Sequence, residues 1–338
     1  MINKSLFLKI LSRQNLIVFG TGAFIGGGIV FLLLRTVFII QKVENPIRQN
    51  TDFEFIKPLL FCSETKEYEE YKPLKEKVDA VIKEKIRDSS FINAAVYFRD
   101  LDSSRWMGIN AETKYSAASL NKVPLMITYF KAAELNLQIL NIKIPYTRET
   151  KQKYMDILEN NIPPDQRLKI DNSYTLKDLI NRMIMYSDNR AASLLVEYIN
   201  TDALIEIYTD LGLSFPQNPG DSISTKSFSR FFRALYNASY LNRDQSNEAL
   251  RLLTKTTYTK GIVAGLPSNI TVAHKFGYRT PDPSNGVLHN ELHDCGIIYY
   301  PGHPYLLCIM TSGDDLLKLE HGIKDISQTV YTEFISKP

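Results

Sequence analysis

The chain has 338 residues and 44% hydrophobic content, enough for a substantial core in one large domain or two small ones. Lys and Arg number 40 against 37 Asp and Glu, a net charge of +3 that no basic tract concentrates, which excludes nucleic acid as an expected partner. Three cysteines, Cys62, Cys295 and Cys308, are too few and too scattered for a disulfide framework or a thiolate zinc site.

The first element is Leu16 to Leu34, LIVFGTGAFIGGGIVFLLL, an uncharged and largely apolar run long enough to cross a bilayer as a helix. Lys4, Lys9 and Arg13 precede it, whereas the following stretch mixes both charges, so the positive-inside tendency puts the N-terminus in the cytoplasm. The run continues past Arg35 as TVFII and lacks a small-x-small cleavage site, which favours an uncleaved anchor over a signal peptide. A lipid attached at Cys62 is disfavoured by the bulky Phe61 before it. Within the same run VFGTGAFIGGG resembles a dinucleotide-binding loop, but neither an amphipathic helix nor an acidic residue at the ribose distance follows. Gly22 and Gly26 read instead as positions of close helix packing in a membrane. These readings give residues 1–14 as a cytoplasmic N-terminus, 15–41 as a single-pass transmembrane anchor and an extracytoplasmic remainder.

Residues 42–65, with Pro46 and Pro58 and no clear period, read as a linker to a domain spanning 66–338. From Pro73 to Arg87 apolar residues recur at helical spacing; FINAAVYFRDL and RWMGIN then read as a hairpin. Residues 122–240 are helical in pattern, through VPLMITYFKAAEL, TLKDLINRMIMYS, RAASLLVEYI, ALIEIYTDLGL and SFSRFFRALYNAS. After EALRLLTKT the strands VAHKFGYR, ELHDCGIIYYPG and HPYLLCIMTSG follow, and KLEHGIKDISQTVYTEFI is a closing helix. Strands at both ends of the domain are thereby expected in one antiparallel sheet of about five strands, flanked by helices, an α/β (α+β) architecture. Residues 66–121 and 241–338 form that part, and 122–240 are an inserted all-helical subdomain.

Three short patterns carry chemistry. Ser119 and Lys122 lie one helical turn apart in YSAASLNKVPL, a spacing that alone occurs by chance in most chains of this length. MYSDNR adds Ser187, Asp188 and Asn189 after a strong helix, and HKFG adds Lys275 and Gly277 on a strand. With S-x-x-K, S-D-N and a K-T-G-like triplet in that order, residues 67 to 337 resemble the serine β-lactamase and penicillin-binding-protein superfamily, closest to class A β-lactamases. The resemblance implies Ser119 as the nucleophile that forms an acyl-enzyme and Lys122 as its base, effective if burial depresses its pKa. It implies an oxyanion hole from the backbone N–H groups of Ser119 and Tyr278, with Gly277 letting the strand approach. It further implies that Ser187 relays a proton to the leaving nitrogen, Asn189 binds the substrate amide, and Lys275 supports Ser187 while attracting the substrate carboxylate. Asp188 reads as a turn brace. The substrate implied is a β-lactam or a peptidoglycan-type peptide, with no metal or other cofactor.

Two departures from the family stand out. Between Leu211 and Phe228 there is no glutamate to hydrolyse the acyl-enzyme; Asp221 is the only carboxylate there and reads as a turn residue or N-cap. Deacylation is then expected to be slow. Phe276 replaces the threonine of K-T-G, and Arg279 is the candidate to hold a substrate carboxylate in its place, with a solvated strand charge as the alternative. A D,D-peptidase-like enzyme and a catalytically silent cell-wall-binding protein remain as alternatives. His289 and His293 in HNELH, placed about 13 Å apart on a strand, are expected as surface or hairpin residues rather than a zinc pair. Pairing Tyr300 with Tyr305 puts Cys295 diagonal to Cys308 and favours two free buried thiols.

Overall fold

The structure is a computed structural model that describes residues 47–48, 52–61, 68–153, 162–217 and 222–336. The expected anchor, Cys62 and Asp221 lie outside the described residues, among which no helix is long and apolar enough to cross a membrane. Residues 46–338 form one compact unit.

Strands β1 (Ile47–Arg48) and β2 (Leu59–Phe61) precede helix α1 (Lys72–Arg87), the hairpin β3 (Asn93–Asp100) and β4 (Trp106–Ile109), and the short β5 (Lys114–Ser116). The helical part runs α2 (Lys122–Leu135), β6 (Lys143–Tyr146), α3 (Arg148–Lys153), β7 (Asn172–Thr175), α4 (Leu176–Met185), α5 (Asn189–Tyr198), α6 (Thr201–Asp210), β8 (Ser222–Ser224) and α7 (Thr225–Asn237). Helix α8 (Arg243–Leu253) returns the chain to β9 (Thr271–Arg279), β10 (Asn290–Tyr299), β11 (Tyr305–Gly313) and α9 (Leu316–Ile335).

Five strands form one antiparallel sheet in the order β4-β3-β11-β10-β9, which joins the two ends of the domain as expected. Alternation along the strands separates two cores. Val96, Phe98, Leu307 and Ile309 pack with α1 and α9 residues such as Val78 and Ile323. Tyr97, Ala273, Cys295 and Cys308 pack with the helical part. Helix α2 is buried on every side over residues 122–130 because it is central, with Val123, Met126, Ile127 and Phe130 among the residues covered there. Polar residues cap the helices, including a Thr175–Asp178 capping box on α4 and Ser224 capping α7.

The inserted part, 122–240, is not all-helical as expected: β6 pairs with β7, and β8 pairs with β5, in ribbons of three or four residues too short to show a period. Two further sequence expectations need correction. Part of the stretch read as a linker, 42–65, is packed onto the domain: Phe55 and Ile56 are buried, and Phe55 N–H donates to Asn247 at 2.9 Å. Arg48 Nη1 donates to Asn237 at 2.8 Å. A short segment with no periodicity can still be anchored by two apolar side chains whose pocket comes from distant helices. The second concerns the last hairpin, where Ile298 rather than Tyr300 faces Tyr305. The turn is longer than expected, Cys295 lies directly opposite Cys308, and a disulfide joins them.

Candidate active site

Ser119 lies in a single 3-10 turn, Ala118–Asn121, that runs directly into α2, and Lys122 is the first residue of that helix. Ala118 has φ 47, and Ser187, in the turn between α4 and α5, has φ 57. Left-handed backbone at two non-glycine residues costs about 1 kcal/mol or more each and persists because the surroundings hold it. Asp188 is one of those constraints: its carboxylate caps α5, accepting from the N–H groups of Arg190 and Ala191 at 2.9 and 3.0 Å, the brace expected of it.

The five polar side chains expected in the site form one connected set. Lys122 Nζ is 3.1 Å from Ser119 Oγ, 3.1 Å from Ser187 Oγ, 2.6 Å from the Ser187 carbonyl oxygen and 2.5 Å from Asn189 Oδ1. Lys275 Nζ donates to Ser187 Oγ and to the Phe276 carbonyl, each at 2.9 Å. Burial lowers the Lys122 pKa to about 7, only partly opposed by the Asp188 charge. The Lys275 amine is fully buried and is held well below its ordinary value by that burial, with the charge of Lys122 adding to the effect.

A neutral lysine has two N–H donors and one lone pair. The two shortest contacts, to the Ser187 carbonyl and Asn189 Oδ1, take the donors. The lone pair is then available to Ser119, whose proton it can accept, while Lys275 orients the Ser187 hydroxyl between the two amines.

Strand β9 borders the nucleophile turn from the edge of the sheet. A Cβ on Gly277 would come within 3.1 Å of the Ala117 carbonyl oxygen and 3.2 Å of Leu120 N, so the absent side chain is what permits the approach. Tyr278 follows on the same strand with its hydroxyl donating to Asn290 Oδ1 at 3.0 Å.

Arg279 does not stand as expected, either as a solvated charge or as a group left open to a substrate. It is largely buried, donating to Ser116 Oγ at 2.8 Å and pairing with Asp282 at 3.2 Å. Ser116 closes β5, three residues before the nucleophile, so Arg279 ties the sheet edge to the base of the nucleophile turn. His293, expected at the surface or in a hairpin, lies on the hairpin strand β10 but is fully buried, and it acts at the same place. Its Nδ1 accepts from Thr311 N–H at 3.3 Å, which leaves the proton on Nε2 to be donated to the Ser116 carbonyl at 2.9 Å. Sequence reasoning missed this clamp because a histidine between Leu292 and Asp294 gives no sign of its partner. Among the described residues no group of acidic, histidine or cysteine side chains could hold a metal ion.

The profile of the beta-lactamase enzyme family matches residues 73–334 of the chain. The chain belongs to the beta-lactamase enzyme family. A β-lactamase of Bacillus licheniformis is 24% identical over 68% of this chain and 75% of its own length. Among solved structures, that of PBP-A superposes with a TM-score of 0.65 at 19% identity, covering 78% of this chain and 97% of PBP-A. A class A β-lactamase from Mycobacterium abscessus gives 0.63 at 20% identity, over 77% of this chain and 99% of that one. Likeness at this identity establishes the fold; the chemistry has to be argued from the site.

Proposed function

We propose that the protein is a membrane-anchored, extracytoplasmic serine hydrolase that forms an acyl-enzyme at Ser119 with a β-lactam or a related strained or D-amino-acid-type amide. The supporting observation is the buried Lys122 amine, near neutrality at about pKa 7 and 3.1 Å from Ser119 Oγ. In the proposed reaction Lys122 takes the Ser119 proton as Oγ attacks the carbonyl carbon, and the N–H groups of Ser119 and Tyr278 receive the developing oxyanion. Ser187, oriented by Lys275, passes a proton to the leaving nitrogen as the amide bond breaks and takes one from the Lys122 ammonium, 3.1 Å from its Oγ. Asn189 holds the substrate amide, and the apolar run Leu16–Leu34 is the membrane anchor.

Deacylation is the slow step in this reading, since the segment 211–228 contains no glutamate to activate water. That same departure favours a second reading, a penicillin-binding D,D-peptidase-like enzyme whose covalent adduct persists. A silent binding protein has no use for a nucleophile with a base in contact, and the intact set of five side chains speaks against it. A mutant of the fold relative PBP-A has been solved as an acyl-enzyme complex with penicillin G, which makes a penicillin a reasonable first probe.

Intact-mass measurement of the chain with β-lactams over time is the test. An adduct on Ser119 that decays within minutes means turnover, and a lasting one means the peptidase-like reading. Labelling that survives Ser119→Ala would refute the assignment of the nucleophile.

A further inference from the structure

Phe276 occupies the strand position between Lys275 and Gly277, and its surroundings bear on what the site accepts. Its ring stacks on Tyr258 with centroids 4.1 Å apart and planes 17° from parallel. The ring also lies 4.3 Å from Lys275 Nζ, the nitrogen that donates to Ser187. Behind this aromatic pair lie two carboxylates, each with a partner. Asp294, directly across the β9–β10 ladder from Phe276, is fully buried and bonded to His274 at 2.8 Å and to Ile262 N–H at 2.9 Å. Tyr258 donates to the buried Glu320 at 3.5 Å, whose other oxygen is 3.6 Å from Lys260.

Each basic side chain that the sequence assigns to the site is already committed. Lys122 serves Ser119, Ser187 and Asn189, Lys275 serves Ser187 and the Phe276 carbonyl, and Arg279 serves Ser116 and Asp282. A carboxylate brought to this flank would exchange its hydration for an aromatic wall with two carboxylates behind it. An uncharged group would lose little hydration there and gain contact with the ring.

We propose that Phe276 and Tyr258 form a neutral subsite beside Ser187, so that the preferred substrate carries an uncharged ester or amide, not a free carboxylate, next to the bond that acylates Ser119. The proposal rests on the acyl-enzyme reading and specifies its substrate class. Its test is a matched pair, benzylpenicillin and benzylpenicillin methyl ester, offered to the full chain. The second-order rate of adduct formation is read by intact mass and divided by each compound's rate of alkaline hydrolysis without protein.

The expected normalised rate for the ester equals or exceeds that for the acid. Phe276→Thr, which supplies a hydroxyl to a carboxylate, is expected to move the ester-to-acid ratio about tenfold toward the acid. Phe276→Leu, apolar but without the ring, is expected to keep the ratio near that of the unchanged chain. Because the ratio is internal to each protein, a reduced folded fraction leaves it intact. A normalised rate for the acid more than tenfold above that for the ester in the unchanged chain would overturn the neutral subsite and leave the nucleophile assignment standing. An adduct with neither compound would overturn the β-lactam form of the acyl-enzyme reading, and the subsite with it.

Discussion

At the scale of single residues, the site is governed by what burial does to nitrogen bases. With its pKa brought from 10.5 to about 7, Lys122 is a cation below neutrality and a base above it. The rate of Ser119 acylation is therefore expected to rise through about pH 7 and level off above, as stopped-flow or mass-resolved acylation rates across pH can measure. Lys122→Ala should reduce that rate by about 10²- to 10⁴-fold, the usual worth of a positioned general base, with the circular dichroism spectrum retained. His293 obeys the same rule, since burial lowers its pKa from 6.5 to about 4. The unfolded chain takes up a proton between those values and the folded chain does not, so stability is lost as pH falls from 6.5 toward 4. The loss is on the order of 3 kcal/mol at most. Denaturant unfolding of the unchanged protein and of His293→Gln at several pH values should show the variant with a flatter acid limb.

At the scale of elements, strand β9 and the turn carrying Ser119 come from regions about 150 residues apart and meet at Gly277 and Arg279, while His293 on the neighbouring β10 reaches the same turn through Ser116. The disulfide lies one strand away, with Cys295 facing Lys275 across the β9–β10 ladder and Cys308 facing Tyr97 on β3. It closes a hairpin of sequence separation 13, for which the loss of chain entropy in the unfolded state is worth about 3 kcal/mol. Cys295→Ala/Cys308→Ala is expected to lower the unfolding free energy by about that amount, measured by denaturant titration without reductant. The hairpin also marks a limit of sequence reading. Moving the pairing from Tyr300–Tyr305 to Ile298–Tyr305 shifts it by two residues, which keeps every side chain on its original face. Hydrophobic alternation is identical in both registers, and only the packed sheet distinguishes a diagonal cysteine pair from a direct one.

At the scale of the whole molecule, the domain boundary lies earlier than composition suggests. Residues 47–48 and 52–61 complete the core through Phe55, whose ring meets Tyr299 edge-on at 5.4 Å and whose carbonyl accepts from the Tyr299 hydroxyl at 3.1 Å. A chain beginning at residue 46 is expected to unfold at the temperature of the full-length protein. One beginning at residue 62 should lose about 3 kcal/mol or more, the cost of deleting a buried phenylalanine, in calorimetric or denaturant unfolding. The short ribbons β5–β8 and β6–β7 escaped sequence reading for the same reason as this segment. Each is three or four residues long, and its partner is supplied by a distant part of the chain.

Among the described residues, local sequence was sufficient for the eight longer helices and the five strands of the main sheet, because periodicity is a property of short segments; the residues that converge on Ser119 were named by motifs in a family resemblance. Ser119, Lys122, Ser187, Asn189 and Lys275 do meet. Tertiary structure alone decided the rest: the commitment of Arg279 to Ser116, the burial of His293 beneath the nucleophile turn, the cysteine bridge, and the Tyr258 ring against Phe276. Each depends on which groups a side chain meets across long stretches of chain, and that choice is made by packing and desolvation in the assembled core, not by neighbours in sequence.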